Sequence, residues 1–86
     1  MSDAELITRY LAGDEQAFAQ LYANCRKPVY AYLYRFFPGR HDLVDDIFQQ
    51  VWIRVIDSLG RYRHQDRFLS WVLRIAHHLA IDYCRR

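Results

Sequence analysis

Cysteines and long apolar runs are scarce in this 86-residue chain, and each scarcity excludes a class of protein. The two cysteines, Cys25 and Cys84, fit no CxxC or zinc-knuckle spacing, so we expect both to be reduced and structural. No uninterrupted apolar stretch approaches the roughly 20 residues needed to span a bilayer. The first five residues are acidic, where a secretory signal is basic and then apolar. We therefore expect a cytoplasmic protein with no membrane partner.

Patterns of catalytic and metal-binding residues are also missing. The chain has no glycine-rich phosphate loop and no nucleophile motif. Asp45 and Asp46 are neighbours on a predicted exposed helix face, which is not the arrangement of a hydrolytic pair of carboxylates. His77 and His78 are adjacent and point in different directions on a helix, with only Asp82 about one turn away as a third ligand. We expect neither an enzyme nor a bound metal or other cofactor.

The chain does contain enough apolar residues for a core. Hydrophobic residues make up 52% of it, including 7 Tyr, 5 Phe and 2 Trp. This composition excludes intrinsic disorder, which requires low hydrophobicity, and it suffices for one small domain. Strand-like alternation, internal repeats and low-complexity linkers are absent from the sequence. The composition and pattern predict a single all-α domain.

Local capping signals divide the first part of this domain into helices. Ser2 followed by Glu5 has the spacing of a capping box, in which side chains satisfy backbone N–H groups at a helix start. The first helix is predicted to run to about Leu11, which we expect on its buried face, and to stop at Gly13. Asp14 is predicted to cap the second helix.

Later signals set the remaining boundaries. Pro28 predicts a kink or a break in the second helix, and Pro38–Gly39 its end. Asp42 and Gly60 are predicted to cap the two ends of the third helix, and Asp66 the start of the fourth. The sequence thus predicts a compact bundle of about four helices, with a loop at 60–67 before the last. The third helix carries a wide apolar stripe, at spacings of one, three and four residues: Leu43, Val44, Ile47, Phe48, Val51, Trp52, Val55, Ile56 and Leu59.

Charge is distributed unevenly along the chain. Residues 1–60 carry six basic and eight acidic side chains, a net charge of −2. Residues 61–86 carry six arginines and two carboxylates, a net charge of +4. Arginine is well suited to phosphate binding and to stacking on bases. The asymmetry suggests two different partners, one of them polyanionic, although a solvated basic face would show the same charge.

The outward side of the last predicted helix combines arginines with an aromatic ring. Single-stranded nucleic acid is bound by this combination, because cations follow the backbone and flat side chains stack on unpaired bases. Each aromatic residue also has an interpretation without nucleic acid. In these interpretations Trp71 is a half-buried core residue, and Tyr62 only anchors the loop. Steps of three and four residues align Arg67, Trp71, Arg74, His78, Asp82 and Arg85, and the loop adds Arg61, Tyr62, Arg63 and His64.

Three segments of the chain carry distinctive patterns: GDEQAFAQLY at 13–22, DLVDDIFQQVW at 42–52 and FLSWVLRIAHHLAIDYCRR at 68–86. In this order and at this spacing, they resemble conserved blocks of bacterial sigma factors of the extracytoplasmic-function (ECF) group. Residues 13–22 are similar to the opening pattern G-D-x-x-A-F-x-x-L-Y. Residues 42–52 resemble the acidic-then-Gln helix of the second conserved region, and 68–86 resemble the helix F-x-x-W-L-x-R-I-A-x-N-x-x-x-D-x-x-R-R. The resemblance covers the whole chain and implies the promoter-melting domain, region two.

The resemblance implies a docking site for core RNA polymerase on the third helix. In the family this helix binds the clamp coiled coil of the largest catalytic subunit. Two carboxylates and two amides suit an arginine-bearing helical partner, although a solvated acidic face is the alternative. The family commonly has Glu at the position of Gln50, so one charge is missing here. The implied docking residues are Asp45, Asp46, Gln49 and Gln50.

The resemblance also implies that the 60–67 loop and last helix recognise and melt the promoter element nearest the start site. The loop would capture a base flipped out of the non-template strand, which couples recognition to melting. His78 stands where the family usually has Asn, so the sequence preference at that position cannot be transferred. The implied pocket residues are Tyr62, Arg63, His64 and Gln65, and the full DNA-binding set adds Arg61, Arg67, Trp71, Arg74, His77, His78 and Arg85.

Two other functions stay open from the sequence. One is a protein-interaction module that binds polymerase or an anti-sigma factor without melting DNA. The other is a duplex binder of the helix-turn-helix type, although no short turn joins two candidate helices. The family continues with a linker and a second DNA-binding domain, which are absent after Arg86. We therefore expect residues 1–86 to be a single, excised N-terminal domain.

Overall fold

The computed structural model describes residues 1–62 and 67–85, and every regular element within them is helical. The predicted all-α bundle of about four helices is confirmed. The described chain measures about 37 × 20 × 18 Å. The elements are α1 (Asp3–Leu11), α2 (Glu15–Phe36), α3 (His41–Ser58), a 3₁₀ turn (Leu59–Arg61) and α4 (Phe68–Cys84).

Side-chain caps begin the first two helices, as predicted. The backbone N–H of Glu5 donates to Ser2 Oγ at 3.2 Å, and the same hydroxyl lies 3.2 Å from the Glu5 carboxylate. Asp14 Oδ1 accepts from the N–H of Gln16 at 3.1 Å. Between these helices Gly13 has φ +106°, a conformation that favours glycine. The tight connection between α1 and α2 is therefore determined by local sequence.

Of the kink or break predicted at Pro28, the break is wrong. Helix α2 runs without interruption from Glu15 to Phe36, with Pro28 inside it. A proline in a helix interior costs about 3 kcal/mol. Val29 and Leu33, just beyond it, are both 0% exposed, and each buried side chain of this kind contributes about 1.5–3 kcal/mol. Burial of these side chains of α2 therefore outweighs the local cost of the proline.

Boundaries of the last two helices differ from the prediction in detail. Arg40, without a side-chain cap, precedes α3, and Asp42 lies in its first turn, where a negative charge still favours the helix dipole. Gly60 does not cap α3 but lies within the 3₁₀ turn that extends it. The predicted cap Asp66 lies outside the described residues, and Arg67 occupies the N-cap position of α4.

The core forms where α2 packs against the other three helices and α3 packs against α4. Two predicted core residues lie outside it: Leu11 is 57% exposed and Ile56 is 46% exposed. Both cysteines are free, Cys25 buried and Cys84 exposed. In the described ranges no helix has the length and apolarity required to cross a membrane. The largest fully buried side chains are Phe68, Ile7, Leu21, Leu33, Ile47 and Leu59.

Candidate nucleic-acid interface

Helix α4 presents a charged side to solvent because its opposite side is fixed in the core. Phe68 is 1% exposed, and Val72 and Ala76 are 0% exposed. This burial determines the rotation of the helix about its axis. The polar stripe predicted from spacing is therefore at the surface, where Arg67, Arg74, His78, Asp82 and Arg85 are all exposed.

An aromatic pair connects the 3₁₀ turn to α4. The rings of Tyr62 and Trp71 lie 4.8 Å apart, and both pack against Phe68 at 5.9 and 5.8 Å. Tyr62 and Trp71 are each half-buried. The two alternatives from the sequence are thus combined: the rings anchor the turn to the core, and part of each remains available at the surface beside the α4 stripe.

The remaining loop residues divide into two groups. Arg63, His64 and Gln65, predicted to line a base pocket, lie outside the described residues. Arg61 is exposed and lines a groove of about 480 Å³ between α3 and α4, which Gln50 and Asp57 also line. Arg61 therefore lies beside the α3 surface.

His77 lies at the seam between α4 and α2. Its Nδ1 is 2.6 Å from the hydroxyl of Tyr32, and its ring centroid is 5.9 Å from that of Phe36. The neighbouring His78 ring is 6.0 Å away, and both histidines are exposed. No group of three His, Cys, Asp or Glu side chains suited to a metal ion occurs among residues 1–62 and 67–85. One ring nitrogen of His77 is thus engaged by α2.

The predicted docking residues of α3, Asp45, Asp46, Gln49 and Gln50, are all exposed. Asp45 accepts a hydrogen bond from the Tyr30 hydroxyl at 3.1 Å. Burial raises the pKa of Tyr30, and the hydrogen bond and the negative charge of Asp45 raise it further. Asp45 therefore already has an intramolecular partner.

An exposed isoleucine on this side of α3 was not predicted. Ile53 is 60% exposed and lines a shallow groove of about 310 Å³ with Tyr22, Phe48, Gln49 and Trp52. Its position four residues after Gln49 and seven after Asp46 is the signal that places it on the polar side. The α3 surface is thus acidic with an apolar patch.

A family model for Sigma-70 region 2 matches residues 21–86. The chain belongs to this family. Among curated relatives, the ECF RNA polymerase sigma factor BldN of Streptomyces coelicolor is 31% identical over 80 residues, which are 92% of this chain and 30% of BldN. The ECF RNA polymerase sigma factor SigX of Bacillus subtilis is 31% identical over 72 residues, 84% of this chain and 37% of SigX. The chain therefore spans about a third of these relatives.

A solved structure of another region 2 domain has the same fold. It is the NMR structure of the complex formed by an engineered region 2 of sigmaE with GTAAAA. The TM-score is 0.85 at 27% sequence identity, covering 99% of this chain and 87% of that one. The predicted resemblance to region two of ECF sigma factors is confirmed.

Contacts between helices are what the sequence reasoning about this region 2 domain missed. The hydroxyls of Tyr30 and Tyr32, both on α2, bond to Asp45 of α3 and His77 of α4 respectively. Tyrosines on the buried side of a helix usually direct their hydroxyl to a polar partner, which is the only sequence signal for either contact. Helix α2 therefore supports both candidate surfaces.

Proposed function

We propose that this region 2 domain binds promoter DNA, chiefly the non-template single strand, through α4 and the segment before it. The observation that carries the proposal is the Tyr62–Trp71 pair, 4.8 Å between centroids, beside the exposed Arg67 of the same helix start. Ring faces stack on unpaired bases while guanidinium groups attract phosphates. Kinship with ECF sigma factors supports the proposal, as does the likeness to a sigmaE domain in complex with GTAAAA.

The same surface is suited to holding DNA in the melted state. Flipping a base out of a duplex costs a few kcal/mol. Stacking on an aromatic side chain returns roughly 1–3 kcal/mol per base. The partly exposed rings of Tyr62 and Trp71 therefore offset much of the cost of opening. Arg63, His64 and Gln65 remain the candidates for contacts to a flipped base.

The second half of the proposal is docking on RNA polymerase through α3. Asp46, Gln49 and Gln50 are exposed beside the apolar patch formed by Ile53. Protein interfaces combine an apolar centre with a polar rim, and carboxylates pair well with arginine. These properties fit an arginine-bearing helical partner such as the clamp coiled coil of the largest catalytic subunit.

A titration of single-stranded oligonucleotides tests the DNA-binding half. Labelled oligonucleotides that span the promoter element nearest the start site are bound to the chain, with each base substituted in turn. We expect one base to dominate the affinity, because only a captured base is read individually. A flat profile would leave only attraction to the backbone and would contradict base capture.

Salt dependence gives an independent measure of the same contacts. If about three arginines contact single-strand phosphates, the log–log slope of affinity against salt is roughly −2. A much steeper slope would mean that the surface is larger than α4 and its leading segment.

The main competing function is a protein-interaction module that binds polymerase or an anti-sigma factor without melting DNA. The observation in its favour is that Tyr62 and Trp71 both use part of their ring surface on Phe68. Intact polymerase binding, without measurable binding to any of the oligonucleotides, would favour this module.

A further inference from the structure

A concavity near the contact between α2 and α4 lies outside the polar stripe of α4. Tyr32, Arg35 and Phe36, all on the last two turns of α2, line a concavity of about 390 Å³. His77 of α4 contacts two of these three side chains, through its 2.6 Å hydrogen bond to Tyr32 and its ring packing on Phe36. The concavity is thus lined by an arginine and a phenol of α2, and His77 of α4 contacts its Tyr32 and Phe36.

The contact between Tyr32 and His77 joins a hydroxyl to a ring nitrogen, and which of the two donates depends on the imidazole tautomer. Hydrogen bonds from N–H to oxygen usually span 2.7–3.2 Å, and those from O–H are shorter. The distance of 2.6 Å therefore favours donation by the Tyr32 hydroxyl to Nδ1. A neutral imidazole that accepts at Nδ1 carries its proton on Nε2. Because His77 is exposed, its Nε2–H is the donor that remains for a ligand.

Positive charge dominates the surroundings of this concavity. Arg35 is exposed, and no ion pair within residues 1–62 and 67–85 holds it. The only carboxylate of α2, Glu15, lies at the other end of that helix, 20 residues or about 30 Å away. On α4, the carboxylate of Asp82 lies more than one turn beyond His77. An anion is the ligand that this arrangement favours.

We propose that Arg35, Tyr32 and His77 form a seat for one phosphodiester of the DNA backbone, extending the DNA-binding surface from α4 onto α2. The Arg35 guanidinium and the His77 Nε2–H donate to phosphate oxygens. Tyr32 is a positioning residue, because its hydroxyl fixes the ring and proton of His77. The inference rests on the proposed function, since DNA reaches the seat only if it follows α4.

Charge-matched variants test the contribution of Arg35. Arg35→Gln is compared with Arg9→Gln, because each arginine is the basic residue in the last turn of its helix. Arg9 is a suitable control because it lies in the groove between α1 and α2, away from α4. The readout is the affinity for a labelled single-stranded oligonucleotide over a series of salt concentrations. We expect Arg35→Gln to weaken binding about fivefold to tenfold and to reduce the salt slope by about 0.7, the value for one phosphate contact. Equal effects of the two variants would overturn the seat.

The positioning role of Tyr32 is tested against a second tyrosine–histidine pair on the same helix. Tyr34 lies 2.9 Å from Nδ1 of His41, so Tyr34→Phe removes an equivalent hydrogen bond away from α4. Nitrogen-15 NMR of the imidazoles reports which ring nitrogen carries the proton. We expect Tyr32→Phe to change the His77 signals and to weaken oligonucleotide binding about twofold to fivefold, with Tyr34→Phe leaving both unchanged. An altered His77 tautomer with unaltered affinity would overturn the role.

Replacement of His77 separates donation from mere packing. Glutamine retains an N–H donor and alanine does not, so we expect affinity to fall in the order wild type, His77→Gln, His77→Ala. Equal affinity of the two variants would overturn donation by this residue. Thermal unfolding of each variant shows whether a lost affinity reflects a lost fold.

Inorganic phosphate distinguishes DNA from a free anion as the natural ligand. Phosphate is added at constant ionic strength, and the NMR signals of His77 are recorded. If the seat is specific for polymeric DNA, we expect phosphate to leave these signals unchanged. Saturable changes with phosphate alone would identify a small-anion site and overturn the assignment to DNA. If the wild-type chain binds no oligonucleotide, the proposed function itself fails; if it binds and Arg35→Gln equals Arg9→Gln, only the seat fails.

Discussion

Helices α3 and α4 face the same core but present opposite charges to solvent. Inward, Ile47 and Val51 of α3 and Val72 and Ala76 of α4 are all 0% exposed. On the outward side, the charged residues of α3 that follow His41 are mainly acidic. The charged residues of α4 and of its caps, Arg67 and Arg85, are mainly basic. The two sets are Asp42, Asp45, Asp46, Arg54 and Asp57 on one helix, and Arg67, Arg74, Asp82 and Arg85 on the other.

Because of this difference, we expect the two proposed surfaces on this one small core to be separable by mutation. Charge on the surface governs which partners approach, whereas burial governs whether the fold exists. A core substitution is therefore expected to abolish both binding activities. A surface substitution on either helix is expected to affect one activity and to leave the other unchanged.

Phe68→Ala is expected to have the largest effect because it removes the shared support. Phe68 is 1% exposed and packs under both Tyr62 and Trp71. Truncating a buried Phe to Ala costs about 3–5 kcal/mol of unfolding free energy, which urea denaturation measures. Ile53→Ala is the control, since Ile53 is 60% exposed and its loss is expected to change stability by less than about 0.5 kcal/mol. A wild-type midpoint for Phe68→Ala would contradict the shared core.

Trp71→Ala is expected to separate the two activities from the α4 side. Loss of one stacking ring costs about 1–3 kcal/mol of single-strand binding, or roughly 5-fold to 150-fold in affinity. Binding to core polymerase should not change. Trp71→Phe retains a ring and should restore much of the affinity, which distinguishes stacking from a general loss of packing. Equal losses of DNA and polymerase binding would show that the surfaces are not separable.

Asp46→Arg is the corresponding test from the α3 side. Reversing this charge opposes an arginine-bearing partner, so polymerase affinity is expected to fall at least about tenfold, or about 1.4 kcal/mol. Oligonucleotide affinity should stay the same or rise slightly. Glu15→Arg makes the same charge change at the start of α2 and serves as the control. Equal polymerase binding by the two variants would argue against docking through α3.

The caps that begin α1 and α2 were predictable from sequence, whereas the caps of α3 and the features that depend on packing were not. The caps at Ser2 and Asp14 involve residues two or three apart, so short spacing suffices to identify them. The continuation of α2 through Pro28 depends on burial against other helices, which spacing does not reveal. Ile56 was misassigned because the apolar stripe of α3 is wider than the surface that α2 and α4 cover.

The candidate site shows the same division. Helical periodicity predicted the polar side of α4, on which Arg74 is exposed and Trp71 is half-buried. The hydrogen bond between Tyr32 and His77 joins residues 45 apart and required the packing of α2 on α4. The proposal of polymerase docking through α3 came from the family resemblance, because an acidic helix face alone is also compatible with simple solvation.

Tyr30→Phe is expected to have the smallest effect and sharpens the assignment of roles within α3. The Tyr30 hydroxyl donates to Asp45 at 3.1 Å, and loss of one such bond costs about 1 kcal/mol of unfolding free energy. The variant also frees the Asp45 carboxylate, so polymerase binding should not weaken. If Asp45 docks mainly through its own charge, affinity should rise slightly; a clear loss would mean that the bond holds Asp45 in its docking position.

The pH dependence of this variant provides the check on the hydrogen bond itself. The pKa of Tyr30 is raised by burial first and then by Asp45, so the folded state favours the neutral phenol. Its stabilising contribution is therefore complete below the ordinary tyrosine pKa of about 10 and is lost as the pH rises through the folded value. The difference in unfolding free energy between wild type and Tyr30→Phe should shrink above about pH 10. Tyr34→Phe removes a phenol that bonds to His41 rather than to a carboxylate, so a similar pH dependence in that variant would remove Asp45 from the explanation.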